Sequence, residues 1–433
     1  MITFLTNVFK KGELRQRIIF TLGILFVFRL GAAITVPGVN TGVLSSTDTT
    51  SGIFGIMNLL GGGTLERFSI FALGVSPYIT SSIIMELLSM DVIPILTQWS
   101  KEGNSGKKKK DRVSRFITLA LAALQGGVLT YAFDRGYGIL SNPSIWTYAY
   151  VVLVMMAGTM FAMWLGDQIT SKGIGNGISL LIFTGIVSNL PTSFITTYNN
   201  LVDTTVDSST MMMGLLWYVL FVIVYLSIVI FVVFNEGSMR KIPVVYASSS
   251  NTMMRTREQT HIPIKINSSG VIPVIFASSV LAAPRTIVSF METSSTTNLI
   301  NTIFNYQQPI GFCLYLLMIV FFTFFYSNLQ IDCKKISDDL KKNGGAVPGV
   351  RTGTETQKFL NKVLNRVTVV GALFLLIIAA IPIITPVIWS QTSNASLSLG
   401  GTGLIIVTGV ALETVNQIKT HITRKEYRGY IRK

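Results

Sequence analysis

Ten apolar runs dominate this chain, and each approaches the roughly 20 residues that a helix needs to cross a bilayer. Hydrophobic residues make up 49% of the 433 residues and charged residues 13%, a composition typical of polytopic membrane proteins and not of water-soluble ones. Because lipid offers the backbone no hydrogen-bond partner, such runs cross as helices. The sequence predicts an all-α polytopic membrane protein with ten transmembrane helices, at about 18–36, 74–92, 115–133, 148–166, 177–196, 212–234, 270–290, 309–329, 367–388 and 401–419.

Lys and Arg are concentrated in alternate loops, and this placement gives the formal net charge of +15 a topological meaning. The intervening loops carry only Arg67, Arg135 and Arg285. Basic loops face the cytoplasm, so both termini are expected there. The basic clusters lie before residue 18, at 101–115, 240–265 and 334–366, and after residue 419.

The chain lacks the residues that hydrolytic, metal or nucleotide chemistry requires. Its two cysteines, Cys313 and Cys333, and its two histidines, His261 and His421, are too few and too widely spaced for a metal site or a disulfide framework. No HExxH, GxxxxGK[ST] or GxSxG motif occurs in the sequence. We therefore expect a protein that is not an enzyme and that has no catalytic residue, cofactor or metal.

The ten runs fall into two sets of five, separated by a polar loop at 198–211. This loop carries Asp203 and Asp207 and no Lys or Arg, so it is expected outside the cell. Because five is odd, the second set starts from the opposite face, and two related halves would be inverted repeats. The predicted halves are 1–197 and 212–433.

A short apolar segment before the second long run is too short to cross a membrane. Residues 53–60 would span only about 12 Å as a helix, and three glycines follow them. Such a segment folds back into a protein-lined cavity; the alternative is a short amphipathic helix on the outer surface. Its apolar residues are Ile53, Phe54, Ile56, Met57, Leu59 and Leu60, and its hinge is Gly61, Gly62 and Gly63.

Six motifs together resemble the SecY family, the channel subunits of the bacterial protein-translocation complex. The resemblance covers nearly the whole chain and weakens in the outer loops 136–147, 198–211 and 291–308. The motifs are SIFALGVSPYITSSII (69–84), WLGDQITSKGIGNGISLLIF (164–183), KIPVVYA (241–247), HIPIKINSSGVIPVIFASSV (261–280), DDLKKNGGAVPGVRTG (338–353) and GGTGLIIV (400–407).

The resemblance implies two inverted five-helix halves around a central pore. In the family, a ring of aliphatic side chains closes the pore at its waist and a short plug helix closes it from outside. Residues 53–63 match the plug and its hinge. The ring falls on six aliphatic residues of this sequence, Val75, Ile79, Ile178, Ile182, Ile275 and Ile406.

The resemblance also implies a lateral gate between the second and seventh spans, near Glu86 and Pro273. Glu86 stands where the family commonly has a neutral polar residue. An acid inside a span is either a functional group or a carboxyl wetted by the cytoplasmic vestibule. The sequence leaves both open.

The cytoplasmic loops at about 235–268 and 330–365 match the platforms that dock the ribosome or the motor ATPase SecA. Arg351 matches the family's docking arginine, and Arg255 and Arg257 lie near the tip of the other loop. The implied partners are also SecE-like and SecG-like small membrane subunits, signal sequences, unfolded secretory chains and membrane lipids.

The expected function is a plasma-membrane channel that passes unfolded secretory polypeptides outward and releases transmembrane segments sideways into lipid. Two alternatives stay open. One is an accessory SecY paralogue for special substrates. The other is an inverted-repeat secondary transporter, which predicts convergent polar residues near the membrane midplane instead of an aliphatic ring.

Overall fold

The computed structural model describes residues 12–40, 63–65, 67–89, 93–202, 208–246, 261–288, 295–305, 308–388 and 401–430. Thirteen helices account for most of these residues. They are α1 Gly12–Ala33, α2 Ser76–Leu88, α3 Pro94–Lys101, α4 Asn104–Tyr137, α5 Ile145–Lys172, α6 Gly177–Leu201, α7 Ser208–Gly237, α8 Ile272–Val288, α9 Ser295–Phe304, α10 Pro309–Gln330, α11 Cys333–Lys342, α12 Thr354–Ile388 and α13 Gly401–Tyr430. Four short strands complete the described part, namely β1 Met239–Pro243, β2 Val245–Tyr246, β3 His261–Lys265 and β4 Gly345–Ala346.

Seven of the described helices are long and apolar enough to span a membrane, which confirms the all-helical polytopic class. They are Gly12–Ala33, Ser105–Gly136, Ile145–Lys172, Gly177–Asn199, Met211–Gly237, Pro309–Lys342 and Thr354–Ile381. The other three predicted spans correspond to α2, α8 and α13. Helix α2 has 13 residues, about 20 Å of rise, so it is shorter than the predicted run 74–92. The count of ten spans stays a prediction.

The chain divides into two compact units. The first comprises Met1–Phe194 and Val410–Lys433, and the second comprises Ile195–Gly409. Helix α13 therefore contributes its first nine residues to the second unit and the remainder to the first. The boundary between the units also falls within α6, after Phe194. The helix itself runs from Gly177 to Leu201 and contains Pro191.

The core of the first unit forms where the segment before α2 lies against α4 and α5. Phe68 is fully buried with Leu129, Phe133 and Met155. Its backbone has a φ of 41°, which is uncommon for a residue other than glycine. At Gly158 of α5 an added Cβ atom would overlap the carbonyl oxygen of Ile70. The segment is thus held in direct contact with the backbone of α5.

Helix α2 is attached to α4 by a buried pair of serines. The Ser81 hydroxyl donates to the Ser114 carbonyl oxygen at 2.7 Å, and the two hydroxyl oxygens lie 3.0 Å apart. Both side chains are buried. Because serine hydroxyls away from water need partners, this contact fixes one face of α2 against α4.

Two small antiparallel sheets give the predicted cytoplasmic loops of the second unit a fold of their own. Strand β1 pairs with β3, with Ile242 opposite Ile262, and β2 pairs with β4. Asp332 caps α11 by accepting from the amides of Lys334 and Lys335 at 3.0 Å. That cap is the structural use of the sequence DCKK. The buried core beneath the sheets comprises Ile242, Ile264, Cys333, Val347, Leu360 and Leu364.

We predict that Ile264→Ala lowers the free energy of unfolding by about 2–5 kcal/mol, because Ile264 is 2% exposed in this core. Met239→Ala, in the paired strand, is the matched control. Met239 is 47% exposed, so its truncation should change stability little. Thermal unfolding of both variants in detergent measures the difference, and equal midpoints for the two would contradict the prediction.

Candidate functional site

All six predicted ring residues lie at the starts of helices. Val75 immediately precedes α2, and Ile79 is the fourth residue of that helix. Ile178 and Ile182 are the second and sixth residues of α6. The last two residues of the ring follow the same pattern, since Ile275 is the fourth residue of α8 and Ile406 is the sixth of α13.

Three of these four helices start two residues after a glycine with a positive φ. The angles are 54° at Gly74, 89° at Gly175 and 63° at Gly270. Residues with a Cβ atom pay about 1–2 kcal/mol to adopt this conformation, so glycine allows the chain to turn sharply into each helix. The residues before the fourth helix lie outside the described part. This pattern is visible in the sequence as LGVS, GIGN and SSGV, but helical periodicity alone does not reveal it.

The ring residues differ in exposure. Val75, Ile182 and Ile406 are 4%, 8% and 7% exposed, whereas Ile79, Ile178 and Ile275 are partly exposed. The Ile79 amide donates to the Val75 carbonyl oxygen at 3.1 Å, so these two side chains share one helix face. Val75, Ile79, Ile178 and Ile182 belong to the first unit, and Ile275 and Ile406 belong to the second.

The position of α6 is fixed by backbone contact with α5. A Cβ atom at Gly177 would overlap the carbonyl oxygen of Gly166, and one at Gly166 would lie 3.0 Å from Ile178 Cγ1. The two helices therefore approach as closely as glycine permits. This contact sets where Ile178 and Ile182 lie along the hairpin of α5 and α6.

The segment before α8 is anchored by a partly buried side-chain contact at the end of α7. The Asn267 amide nitrogen donates to Glu236 Oε1 at 2.6 Å, and Asn267 is buried. The Ile266 amide donates to the Ser238 carbonyl oxygen at 3.1 Å. Gly270, three residues after Asn267, turns the chain into α8, the helix that carries Ile275.

The two predicted gate residues lie on helices that also carry ring residues. Glu86 is exposed, eleventh in the 13-residue helix α2. Pro273 is buried at the second position of α8, where its missing amide hydrogen breaks no helical hydrogen bond. The choice between a functional and a merely wetted Glu86 stays open.

The predicted docking arginine Arg351 is exposed in a tightly turned loop. Its carbonyl oxygen accepts from the Thr356 hydroxyl at 2.8 Å, and the Gly353 carbonyl oxygen accepts from the Ser337 hydroxyl at 2.7 Å. The backbone on both sides of Arg351 is thereby fixed while its guanidinium group faces solvent. Arg255 and Arg257 lie outside the described residues.

The predicted plug lies almost entirely outside the described residues. The plug residues that lie outside are Ile53, Phe54, Ile56, Met57, Leu59 and Leu60, together with the hinge residues Gly61 and Gly62. Gly63 is described, with a φ of 79°, and a Cβ atom there would lie 3.1 Å from Asn189 Oδ1. Within the described ranges no group of three or more His, Cys, Asp or Glu side chains is arranged to hold a metal ion.

The described part contains seven long apolar helices. It also contains shorter helices that follow glycine turns and carry aliphatic residues in their first turns. Together these define a multi-span α-helical membrane protein. The SecY family model matches residues 69–415. Two curated relatives, the protein translocase subunits SecY of Bacillus licheniformis and Bacillus subtilis, are each 41% identical over 100% of both chains. The Staphylococcus aureus subunit is 39% identical over 99% of both chains. The chain belongs to the SecY family.

Solved structures agree with this fold. A structure described as a protein-conducting channel has a TM-score of 0.61 at 16% identity, covering 93% of this chain and 91% of that one. Sec61 in the canine ribosome-channel complex from the endoplasmic reticulum has a TM-score of 0.57 at 16% identity, with the same coverages. These structures show that the chain shares their fold. As a member of the SecY family, the chain is not an enzyme.

We predict that Gly175→Ala destabilises the protein more than Gly270→Ala. Both substitutions force alanine into a positive φ, at a cost of about 1–2 kcal/mol. At Gly175 the new Cβ atom would also lie 2.9 Å from Leu180 Cδ1, whereas at Gly270 no atom of the described residues lies within 4 Å of it.

Gly23→Ala is the control, because Gly23 lies within helix α1 and a Cβ atom there would have no described residue within 4 Å. Thermal unfolding in detergent should rank the variants with Gly23→Ala the most stable and Gly175→Ala the least. A Gly175→Ala variant as stable as Gly23→Ala would contradict the assigned backbone conformation.

Proposed function

We propose that this chain forms a protein-conducting channel that passes unfolded secretory polypeptides across the plasma membrane and releases transmembrane segments sideways into lipid. The observation that carries the proposal is the placement of six aliphatic residues at the starts of four helices, in a chain of the SecY family. The relatives are named protein translocase subunits, and that activity fits the chemistry of these residues.

An aliphatic ring would explain how the channel blocks ions and yet accepts polypeptides of any sequence. Its side chains have no group to replace the hydration of an ion, so a narrow apolar constriction empties of water and blocks ions by dewetting. The same side chains pack against any polypeptide without demanding a particular sequence. On the family resemblance, the ring would comprise Val75, Ile79, Ile178, Ile182, Ile275 and Ile406.

The remaining parts of the channel are assigned on the same family basis. Residues 53–63 would form the plug and its hinge, and the stretch around Glu86 and Pro273 would form the lateral gate. Residues 1–197 and 212–433 would be the two halves, joined by the external loop 198–211. An inverted pair of halves would place the ring at their interface near the membrane midplane.

The cytoplasmic platforms would dock the partners that drive transport. A guanidinium group binds phosphate or carboxylate bidentately, which suits Arg351, and also Arg255 and Arg257, to ribosomal RNA or to a SecA-like motor protein. Solved relatives include a channel complex with a ribosome. SecE-like and SecG-like small membrane subunits would complete the complex, and both termini would lie in the cytoplasm, as the charge of the basic loops favours.

We predict that Ile182→Asn makes the resting channel conduct ions, because an amide in the ring would hold water in the constriction. Ile182→Val is the matched control, since it keeps the ring aliphatic. The conductance of the purified complex in planar bilayers, without substrate, should rise several-fold for Ile182→Asn and stay at the wild-type level for Ile182→Val. Equal conductance for all three proteins would count against Ile182 as a ring residue.

A further inference from the structure

The loop between α5 and α6, residues 173–176, is held by two helices distant from it in sequence. On one side, the Ile174 amide donates to the Thr21 hydroxyl oxygen at 3.1 Å. Thr21 belongs to α1, and its hydroxyl in turn donates to the Arg17 carbonyl oxygen at 2.8 Å. Helix α1 thus satisfies one backbone group of the loop.

On the other side, α13 satisfies the next backbone group. The Gly175 amide donates to Gln417 Oε1 at 3.1 Å. The opposite end of the same side chain, Gln417 Nε2, donates to Glu413 Oε1 at 3.4 Å. Gln417 therefore accepts from the loop with its oxygen and donates with its nitrogen to the carboxylate of Glu413, which is exposed.

Apolar packing surrounds these hydrogen bonds. Ile174 and Leu14 of α1 are buried together, and Ile18 and Ile418 pack against them. A Cβ atom at Gly175 would lie 3.3 Å from the Thr414 hydroxyl oxygen. Since residues three and four apart share one face of a helix, Thr414, Gln417 and Ile418 present a single face of α13 to the loop.

The contact lies directly before the helix that carries two ring residues. Gly175, with its φ of 89°, is three residues before Ile178 and seven before Ile182. The Gly175 amide takes its acceptor from outside α5 and α6, namely Gln417 Oε1, and a backbone amide away from water needs such a partner. Losing that acceptor would loosen the start of α6.

We infer that Gln417, oriented by Glu413, is a positioning residue that fixes the start of α6 and so keeps the resting channel closed. The inference rests on the proposed channel function. It gives Glu413, an acid inside the predicted span 401–419, the task of setting the orientation of one amide. The same helix carries Ile406 in its second turn, so one continuous element bears a ring residue and holds the loop before two others.

The experiment exchanges the two side chains. Gln417→Ala removes the acceptor, and Gln417→Glu keeps an acceptor but places two carboxylates one turn apart, where they repel. The double variant Glu413→Gln/Gln417→Glu restores one amide beside one carboxylate. In it, the residue at 417 accepts from the Gly175 amide while the residue at 413 donates. Asn416→Ala, at an exposed position of the same helix, is the control.

Each variant is assayed in the complete translocon complex, reconstituted in liposomes, for ion conductance without substrate and for transport of a precursor with a defective signal sequence. We expect Gln417→Ala to raise both several-fold and Asn416→Ala to change neither. The double variant should return both towards wild-type values, with Gln417→Glu between them. A purely structural loss would instead lower the melting temperature without this rescue.

Two results would overturn the inference while wild-type protein transports a normal precursor. One is a Gln417→Ala variant that has the ion conductance of wild type and, like wild type, does not transport the precursor with the defective signal sequence. The other is a double variant that leaks as much as Gln417→Ala, which would show that the paired amide and carboxylate are not what positions the loop. Failure of the wild-type complex to transport any precursor would instead overturn the proposed function itself.

Discussion

The need to pair every backbone amide and carbonyl away from water constrains this structure more than any other factor. Long helices meet that need internally, but the chain interrupts them just before residues proposed to form the ring. At each described interruption another part of the protein supplies polar or backbone partners. Thr21 and Gln417 hold the loop before α6, and Glu236 holds the segment before α8 through Asn267.

These anchored interruptions explain how aliphatic residues come to serve as a proposed pore constriction. A helix that starts within the membrane presents its first turn at a defined depth, and a glycine two residues earlier sets the direction in which it starts. The side chains then need only be apolar and of similar size. Because the side chains carry no polar groups, the proposed constriction would block ions and would also accept transported chains of any sequence.

The sequence was sufficient to predict an all-helical membrane protein. Apolar runs of about 20 residues, in a chain with only 13% charged residues, are typical of transmembrane helices. It also located the motifs of the SecY family. Pairwise contacts between distant segments could not be predicted. Gln417 and Thr21 are ordinary polar residues on helices, and only the fold brings them to the loop 173–176. Asp332 is a residue type that favours N-caps, but the apolar runs that located the spans did not predict the short polar helix Cys333–Lys342 that it caps. The predicted run 74–92 was also longer than the helix Ser76–Leu88.

The most direct test of the proposed channel places a photo-crosslinking amino acid at Ile182 and stalls a secretory precursor in transit through the complex. The account predicts crosslinks to the precursor that appear only while it is held in the channel. The same probe at Arg351 is the positive control, with expected crosslinks to the docked ribosome. No crosslink at Ile182, in an active complex that crosslinks at Arg351, would contradict the proposed pore while leaving the docking platform in place.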